Sequence, residues 1–113
     1  MDTLTNIGTT YDATNAPKGL GFAEIDFTGV TAVVFTVFIR KVGTGIQSWQ
    51  LWNDTNLVEI GVIDDAGVTG DKYLTATFAS AVTGIKRIRV RAKSTVLTDD
   101  PLYYGSALRL VKA

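Results

Sequence analysis

The segment from Ile85 to Lys93 constrains the fold more than any other part of the chain. Three apolar residues alternate there with four cations, in the order Arg87, Ile88, Arg89, Val90, Arg91, Ala92, Lys93. A period of two places successive side chains on opposite sides of an extended strand, so one face is buried and the other is wet. The segment holds five of the eleven cations of a chain with no net charge. It therefore predicts a β-strand with a concentrated positive face.

The rest of the chain also favours short strands. Val, Ile, Thr, Phe and Tyr dominate, and turn residues recur at short intervals. This pattern predicts an all-β fold of about eight short antiparallel strands in a two-sheet sandwich, of jelly-roll or related Greek-key type. An immunoglobulin-like topology is the alternative. We expect residues 1–18 to form a weakly patterned N-terminal arm or edge strand, and residues 19–113 to form the sandwich domain.

The strongest predicted strand runs from Thr31 to Val42. One side carries Val33, Phe35, Val37 and Ile39, and the other carries Val34 and Phe38. A strand that is apolar on both sides is either covered twice or exposes an apolar patch that contacts a partner. We therefore regard Val34 and Phe38 as candidate interface residues, together with the cations Arg87, Arg89, Arg91 and Lys93.

Turn composition and alternation give further local predictions. Gly43-Thr44-Gly45 and Asp54-Thr55-Asn56 predict hairpin turns, and the turn after Asp64-Asp65 places Gly67 at the left-handed position. Alternation assigns a shared face to two sets of residues, which are Val58, Ile60 and Val62, and Tyr104, Leu108 and Leu110. In the segment from Lys72 to Phe78 it predicts that Leu74, Ala76 and Phe78 point inward and that Tyr73, Thr75 and Thr77 point outward.

The row of four cations admits several interpretations. Neighbouring strands could supply acids such as Glu24 and Asp26, so that the row is solvated or internally paired. The row could instead meet an acidic patch on another protein, protect an edge strand, or follow a phosphate backbone or anionic glycan. Zero net charge and the lack of aromatic residues between the cations argue against nucleic acid as a partner.

The composition also excludes much of the usual catalytic chemistry. The chain contains no cysteine and no histidine, which removes thiolate and imidazole catalysis and the commonest zinc ligands. It contains no nucleophile elbow, phosphate loop or glycine fingerprint. We therefore expect no enzymatic activity and no cofactor. The N-terminal residues lack a signal-peptide pattern and the longest apolar stretch is short, so we expect no membrane partner.

Two groups of residues support weaker binding hypotheses. Asp64, Asp65 and Asp71 are close in sequence but lack the spacing of a calcium loop, so turn chemistry explains them as well. The aromatic residues Trp49, Trp52, Tyr103 and Tyr104 could stack on sugar rings, as in a carbohydrate-binding module. Because Trp49 and Trp52 are an odd number of residues apart, they face opposite sides of a regular strand, and one of them belongs to the core.

In overall style the chain resembles the small β-sandwich structural proteins of tailed bacteriophages, such as head-decoration and tail- or fibre-attachment proteins. The resemblance is carried by Thr- and Gly-rich strands, the lack of cysteine and histidine, and the C-terminal sequence from Arg89 to Gly105. It implies a non-catalytic role on a virion, a homo-oligomer that is a trimer, and a major capsid or tail protein as partner. It carries over no functional residues. A carbohydrate-binding β-sandwich module is the alternative function.

Overall fold

The computed structural model describes residues 2–3, 23–96, 98–99 and 101–113. Strands account for most of these residues. They are β1 (Asp2–Thr3), β2 (Ala23–Asp26), β3 (Val30–Lys41), β4 (Gln47–Asn53), β5 (Val58–Asp65), β6 (Gly70–Ala79), β7 (Ile85–Ser94) and β8 (Leu102–Lys112). Within the described ranges no helix is long and apolar enough to cross a membrane. The predicted all-β class is confirmed, whereas the predicted N-terminal arm lies outside the described residues apart from β1.

The eight described strands form two antiparallel sheets of four strands each. Sheet A has the order β1-β8-β3-β6, and sheet B has the order β2-β7-β4-β5. The strand pairs are those of one long hairpin whose successive pairs lie alternately in the two sheets. Sheet A contains β1–β8 and β3–β6, and sheet B contains β2–β7 and β4–β5. This arrangement is a jelly roll. The predicted fold type is therefore confirmed, and the immunoglobulin-like alternative is not observed.

The core lies between the inner faces of the two sheets. Val33, Phe35, Val37 and Ile39 of β3 are almost completely buried, as the alternation predicted. From sheet B they are covered by Trp49 and Leu51 of β4 and by Ile88, Val90 and Ala92 of β7. Each fully buried large apolar side chain of this kind stabilises the fold by about 1.5–3 kcal/mol. The central strands of both sheets therefore hold the sandwich together.

Two predicted turns have a different role in the structure. Gly43–Gly45 does not close a hairpin, because β3 belongs to sheet A and β4 belongs to sheet B. The segment instead carries the chain from one sheet to the other. Asp64 and Asp65 are the last residues of β5, and the positive φ of 123° belongs to Gly70 and not to Gly67. Local turn residues do not reveal whether the flanking strands pair with each other.

A β-bulge in β5 changes the face that alternation predicted. The pairing with β4 shifts between Leu51 and Trp52, and Ile63 lies opposite the inward-facing Trp49. Val62 consequently lies on the outer face, so the predicted shared face of Val58, Ile60 and Val62 is wrong. An extra residue in one strand interrupts alternation, and sequence periodicity does not detect it.

A second bulge has the same effect in β8. In the pairing with β3, Phe38 lies opposite Gly105 and Ile39 lies opposite Tyr103, so Tyr104 is the extra residue of the bulge. Tyr103 is therefore buried while Tyr104 is exposed, although Leu108 contacts the core. The prediction that Tyr104 shares a face with Leu108 and Leu110 is therefore wrong, and Tyr104 lies on the outer face of sheet A.

Gly61 marks a close approach between the sheets. A Cβ atom added at Gly61 would overlap the ring of Phe78, which projects inward from β6. We expect Gly61→Ala to lower the free energy of unfolding by about 1–3 kcal/mol because the ring has to move. Urea denaturation measures this change. The same substitution should cost less in a Phe78→Leu background, and equal costs in the two backgrounds would contradict the steric explanation.

Candidate functional surface

Three aromatic side chains are exposed on the outer face of sheet A. Phe38, Tyr73 and Tyr104 have exposed fractions of 43%, 67% and 37%. Phe38 of β3 lies opposite Tyr73 of β6, and their ring centroids are 6.3 Å apart with a tilt of 44°. Tyr104 joins this face because of the bulge in β8. We call these three residues the aromatic surface.

A hydrogen-bonded polar group borders the aromatic surface. Tyr104 Oη donates to Asp71 Oδ1 at 2.6 Å, and Arg40 Nη1 donates to the same oxygen at 3.2 Å. The hydrogen bond from Tyr104, supported by Arg40, lowers the pKa of Asp71 despite partial desolvation. The Asp71 carboxylate in turn raises the pKa of Tyr104. The phenol ring and the carboxylate are therefore held in a defined relative position.

Beyond these groups the outer face carries threonine and valine side chains, and Arg109 of β8 lies opposite Val34 in the strand register. Thr36 of β3 lies opposite Thr75 of β6, and Thr36 Oγ1 donates a hydrogen bond to Thr75 Oγ1 at 3.0 Å. Val34 is half-buried on the same face. The structure thus brings the predicted interface residues Val34 and Phe38 together on the outer face of sheet A.

The four predicted interface cations lie on the opposite side of the molecule, on the outer face of sheet B. Arg89 is only 7% exposed, and its Nε lies 3.4 Å from Asp54 Oδ1. The guanidinium of Arg91 lies 4.3 Å from the centroid of a Trp52 ring. Arg87 lies opposite Glu24 in the strand register. Arg87, Arg89, Arg91 and Lys93 all have interaction partners, so internal pairing describes this row better than an open cationic surface.

The centre of the outer face of sheet B is also largely closed to solvent. Ser48 Oγ donates to Asp64 Oδ1 at 2.5 Å, and Gln50 Nε2 donates to Glu59 Oε1 at 3.0 Å. Ser48 and Gln50 are exposed by only 4% and 5%. The outer face of sheet B consequently offers little accessible surface for a ligand along β4.

The four candidate sugar-stacking residues do not form one platform. Trp49 is completely buried and Tyr103 is 7% exposed, with their rings stacked at a centroid distance of 6.0 Å in the core. Neither ring can stack on a ligand, so the hypothesis is wrong for these two residues. Trp52 lies on the outer face of sheet B and Tyr104 lies on the outer face of sheet A, on opposite sides of the molecule. The odd spacing correctly predicted that one tryptophan is buried.

The candidate calcium ligands have separate partners. Asp64 accepts from Ser48. Asp65 Oδ1 accepts from Lys72 Nζ at 3.1 Å and from the backbone N–H of Gly67 at 3.0 Å. Asp71 belongs to the polar group beside the aromatic surface. The described part of the chain contains no group of three or more carboxylates that could hold a metal ion.

A cavity of about 390 Å³ lies between the two sheets. Its walls are mostly apolar and include Phe35, Leu51 and Leu108, with a hydrogen bond of 2.9 Å between the hydroxyls of Tyr103 and Ser106. Among the described residues no carboxylate lines it. The described lining therefore contains no pair of carboxylates of the kind that acid–base catalysis uses.

Sequence reasoning did not identify Tyr73, Asp71 and Arg40 as members of one surface. Alternation did place Tyr73 on the outer side of its strand. The missing information was the pairing of β3 with β6 in a register that sets Phe38 opposite Tyr73 and Arg40 opposite Asp71. Such long-range pairing leaves no local signal in a single sequence.

Comparison with known proteins identifies no family for this chain. No protein-family description and no curated protein matches it. One similar solved structure is the CBM22-1 xylan-binding domain from Paenibacillus barcinonensis Xyn10C, with 15% identity and a TM-score of 0.47 over 93% of this chain and 70% of that one.

The polar group predicts a titration effect. Because the pKa of folded Asp71 is lowered, its contacts stabilise the fold above the unfolded value of 3.8, and this stabilisation is lost as the pH falls through the folded pKa. We expect Tyr104→Phe to raise the pKa of Asp71, measured by NMR titration of the carboxyl carbon. Asp26, whose pKa is lowered chiefly by the backbone N–H of Thr28, is the internal control. An unchanged Asp71 pKa would show that Tyr104 does not hold the carboxylate.

Proposed function

We propose that the chain is a non-catalytic assembly protein that forms homo-oligomers through the outer face of sheet A. The aromatic surface carries this proposal. Phe38, Tyr73 and Tyr104 are exposed by 37–67% on the outer face of sheet A. Exposed apolar patches mark interaction sites, and Tyr, Phe and Arg are enriched in the buried centres of protein interfaces.

The opposite face of the sandwich supports the choice of sheet A. Arg89 is buried against Asp54, and Arg91 lies over Trp52, so these cations already have partners within the chain. An interface through the aromatic surface is mainly apolar, and we expect its strength to change little with salt. An interface through surface cations would weaken as salt is added.

A tailed-phage virion is the setting that we propose, with a major capsid or tail protein as the further partner. This part of the proposal follows the resemblance in sequence style. The non-catalytic part follows the lack of cysteine and histidine in the sequence. It also follows the position of Asp71, which lies on an exposed outer face with Oδ1 engaged by Tyr104 and Arg40.

Native mass spectrometry over a range of concentration and salt tests this proposal. We expect the wild-type chain to associate at both low and high salt. The double variant Phe38→Ser, Tyr73→Ser should bind itself at least about tenfold more weakly, since truncating central interface residues commonly costs more than about 1.4 kcal/mol. Arg87→Ser, on the opposite face, is the matched control and should associate as wild type does. A wild-type monomer under all conditions, or association lost only in Arg87→Ser, would contradict the proposal.

Carbohydrate binding at the same surface is the second candidate. The observation that favours it is the polar group of Tyr104, Asp71 and Arg40 beside two exposed rings, because sugar recognition needs a flat apolar face next to fixed hydrogen-bonding groups. A glycan array probed with the wild-type chain and with Tyr73→Ala tests it. Binding that disappears in Tyr73→Ala would support this candidate, and no binding by the folded wild-type chain would exclude it for the arrayed sugars.

A further inference from the structure

The outer face of sheet A is built from cross-strand rows that each take one residue from β8, one from β3 and one from β6. The strand register sets which residues share a row. Three neighbouring rows are the central row (Ala107, Thr36 and Thr75), the aromatic row (Gly105, Phe38 and Tyr73) and the Arg109 row (Arg109, Val34 and Thr77). The aromatic row and the Arg109 row therefore lie at equal distances on either side of the central row.

The aromatic row and the Arg109 row differ in side-chain size on every strand. On β3 and β6 the aromatic row has exposed rings, whereas the Arg109 row has Val34 and Thr77. On β8 the order is reversed, because Arg109 is long and exposed and Gly105 has no side chain. Apart from the two chain neighbours of Gly105, no described heavy atom lies within 4 Å of a Cβ atom added there. Each row thus has a large side chain where the other row has a small one or none.

We propose that two copies of the chain stack the outer faces of their A sheets on each other about a two-fold axis along the central row. This inference rests on the proposed function, because it specifies how the copies meet at the same surface. The rotation reverses the strand direction and keeps each strand over its own counterpart, so the aromatic row of one copy lies on the Arg109 row of the other. An isologous contact of this kind closes on itself and gives a dimer.

The two-fold relation matches large side chains with small ones across the interface. Phe38 of one copy lies on Val34 of the other, and Tyr73 lies on Thr77. The central row holds only alanine and threonine side chains, which lets the two sheets approach to the spacing of about 10 Å that stacked sheets adopt. A second copy is therefore complementary in shape to this face, because the face carries both halves of the match.

Charge gives the same match on β8. The register places Arg109 of the second copy over Gly105, beside the ring of Tyr104. Tyr104 donates a hydrogen bond to Asp71, whose side chain remains 63% exposed. The guanidinium thus gains an aromatic face and a nearby carboxylate, both of which attract a cation. The symmetry repeats this contact on the other side of the axis.

Other two-fold axes lose this complementarity. An axis along the Arg109 row would set Arg109 of one copy against Arg109 of the other. An axis parallel to β3 would set Arg40 against Arg40 in the same way. Like charges that face each other across an interface are unfavourable. An axis along the aromatic row would place each ring on its own counterpart and hold the sheets further apart.

Single engineered cysteines and a short bis-maleimide test the proposal, because the chain has no cysteine of its own. Thr75→Cys and Ala107→Cys lie on the axis, so each thiol faces its counterpart across the stacked sheets, and both variants should form linked dimers. Ala79→Cys is the matched control on the same strand and face as Thr75. It lies four residues from the axis, which separates its two thiols by about 27 Å, and it should stay unlinked on a denaturing gel.

A charge reversal tests the contact of Arg109 independently. We expect Arg109→Glu to weaken self-association at least about tenfold in native mass spectrometry, since it brings like charges together near Asp71. Lys112→Glu makes the same charge change on the same strand, at an exposed residue whose charge lies near Asp26 of β2. It should associate as the wild type does. Equal association of the two variants would overturn the two-fold arrangement.

The outcomes separate this inference from the proposed function. Linking of Thr75→Cys and Ala107→Cys without Ala79→Cys, together with a dimer mass, would support the stacked dimer. Equal linking of Ala79→Cys, a trimer, or an oligomer in which Thr75→Cys and Ala107→Cys stay unlinked would overturn this arrangement and leave the proposed function intact. Linking of Thr75→Cys without Ala107→Cys would indicate contact along the β6 edge and would also overturn it.

The accessibility of the same thiols decides whether the face is free to receive a second copy. We expect Thr75→Cys and Ala107→Cys to react with a monofunctional maleimide in dilute protein as fast as Ala79→Cys does, and more slowly in concentrated protein. Slow reaction at all concentrations would show that the face is covered within the chain. That result, or a monomer under all conditions, would overturn both proposals.

Discussion

The central position of β3 is the constraint on which the rest of the structure depends. β3 pairs with β6 on one side and with β8 on the other, so it is a central strand of sheet A. Its inner side chains, including Phe35 and Ile39, are buried against sheet B, and this burial fixes the register of both neighbours. Its outer side carries Phe38, which remains exposed. The same strand therefore supplies the core and the exposed aromatic side chain.

The jelly-roll topology places the cations of β7 and the aromatic surface on different sheets. β7 lies in sheet B beside β4, so its cations face away from sheet A and meet Trp52, Asp54 and Glu24. β6 lies at the edge of sheet A, so its uncharged outer residues adjoin Phe38. The cations of β7 are consequently engaged within the chain on one face, whereas the other face exposes three aromatic side chains beside the Arg40–Asp71 ion pair. This division favours sheet A as the surface for association.

Regular strands could be predicted from the sequence, and their irregularities could not. The alternation in β7 and β6 gave the correct faces, and the odd spacing of Trp49 and Trp52 gave one buried and one outward ring. Bulges reversed the prediction for Tyr104 in β8 and for Val62 in β5, since an inserted residue has no periodic signature. The turn at Gly43–Gly45 was misassigned because the partner of a strand is set by contacts distant in sequence.

The residues of the candidate surface show the same limit. Phe38 was identified because it breaks the polar pattern expected on the outside of a strand. Asp71 and Tyr104 were not connected, because their hydrogen bond joins residues 33 positions apart in sequence. Arg89 was considered an interface residue, although it is buried beside Asp54. Charge alone does not distinguish a solvent-exposed arginine from one that is held by a neighbouring loop.

Hydrogen–deuterium exchange at high and low protein concentration tests most directly whether copies associate through sheet A. If copies associate through sheet A, peptides from Gly70–Ala79 exchange more slowly in the concentrated sample, while peptides from Ile85–Ser94 exchange at the same rate in both samples. The Ile85–Ser94 strand is an internal reference because it lies in the other sheet. Slower exchange confined to Ile85–Ser94, or no concentration dependence in any peptide, would contradict association through sheet A.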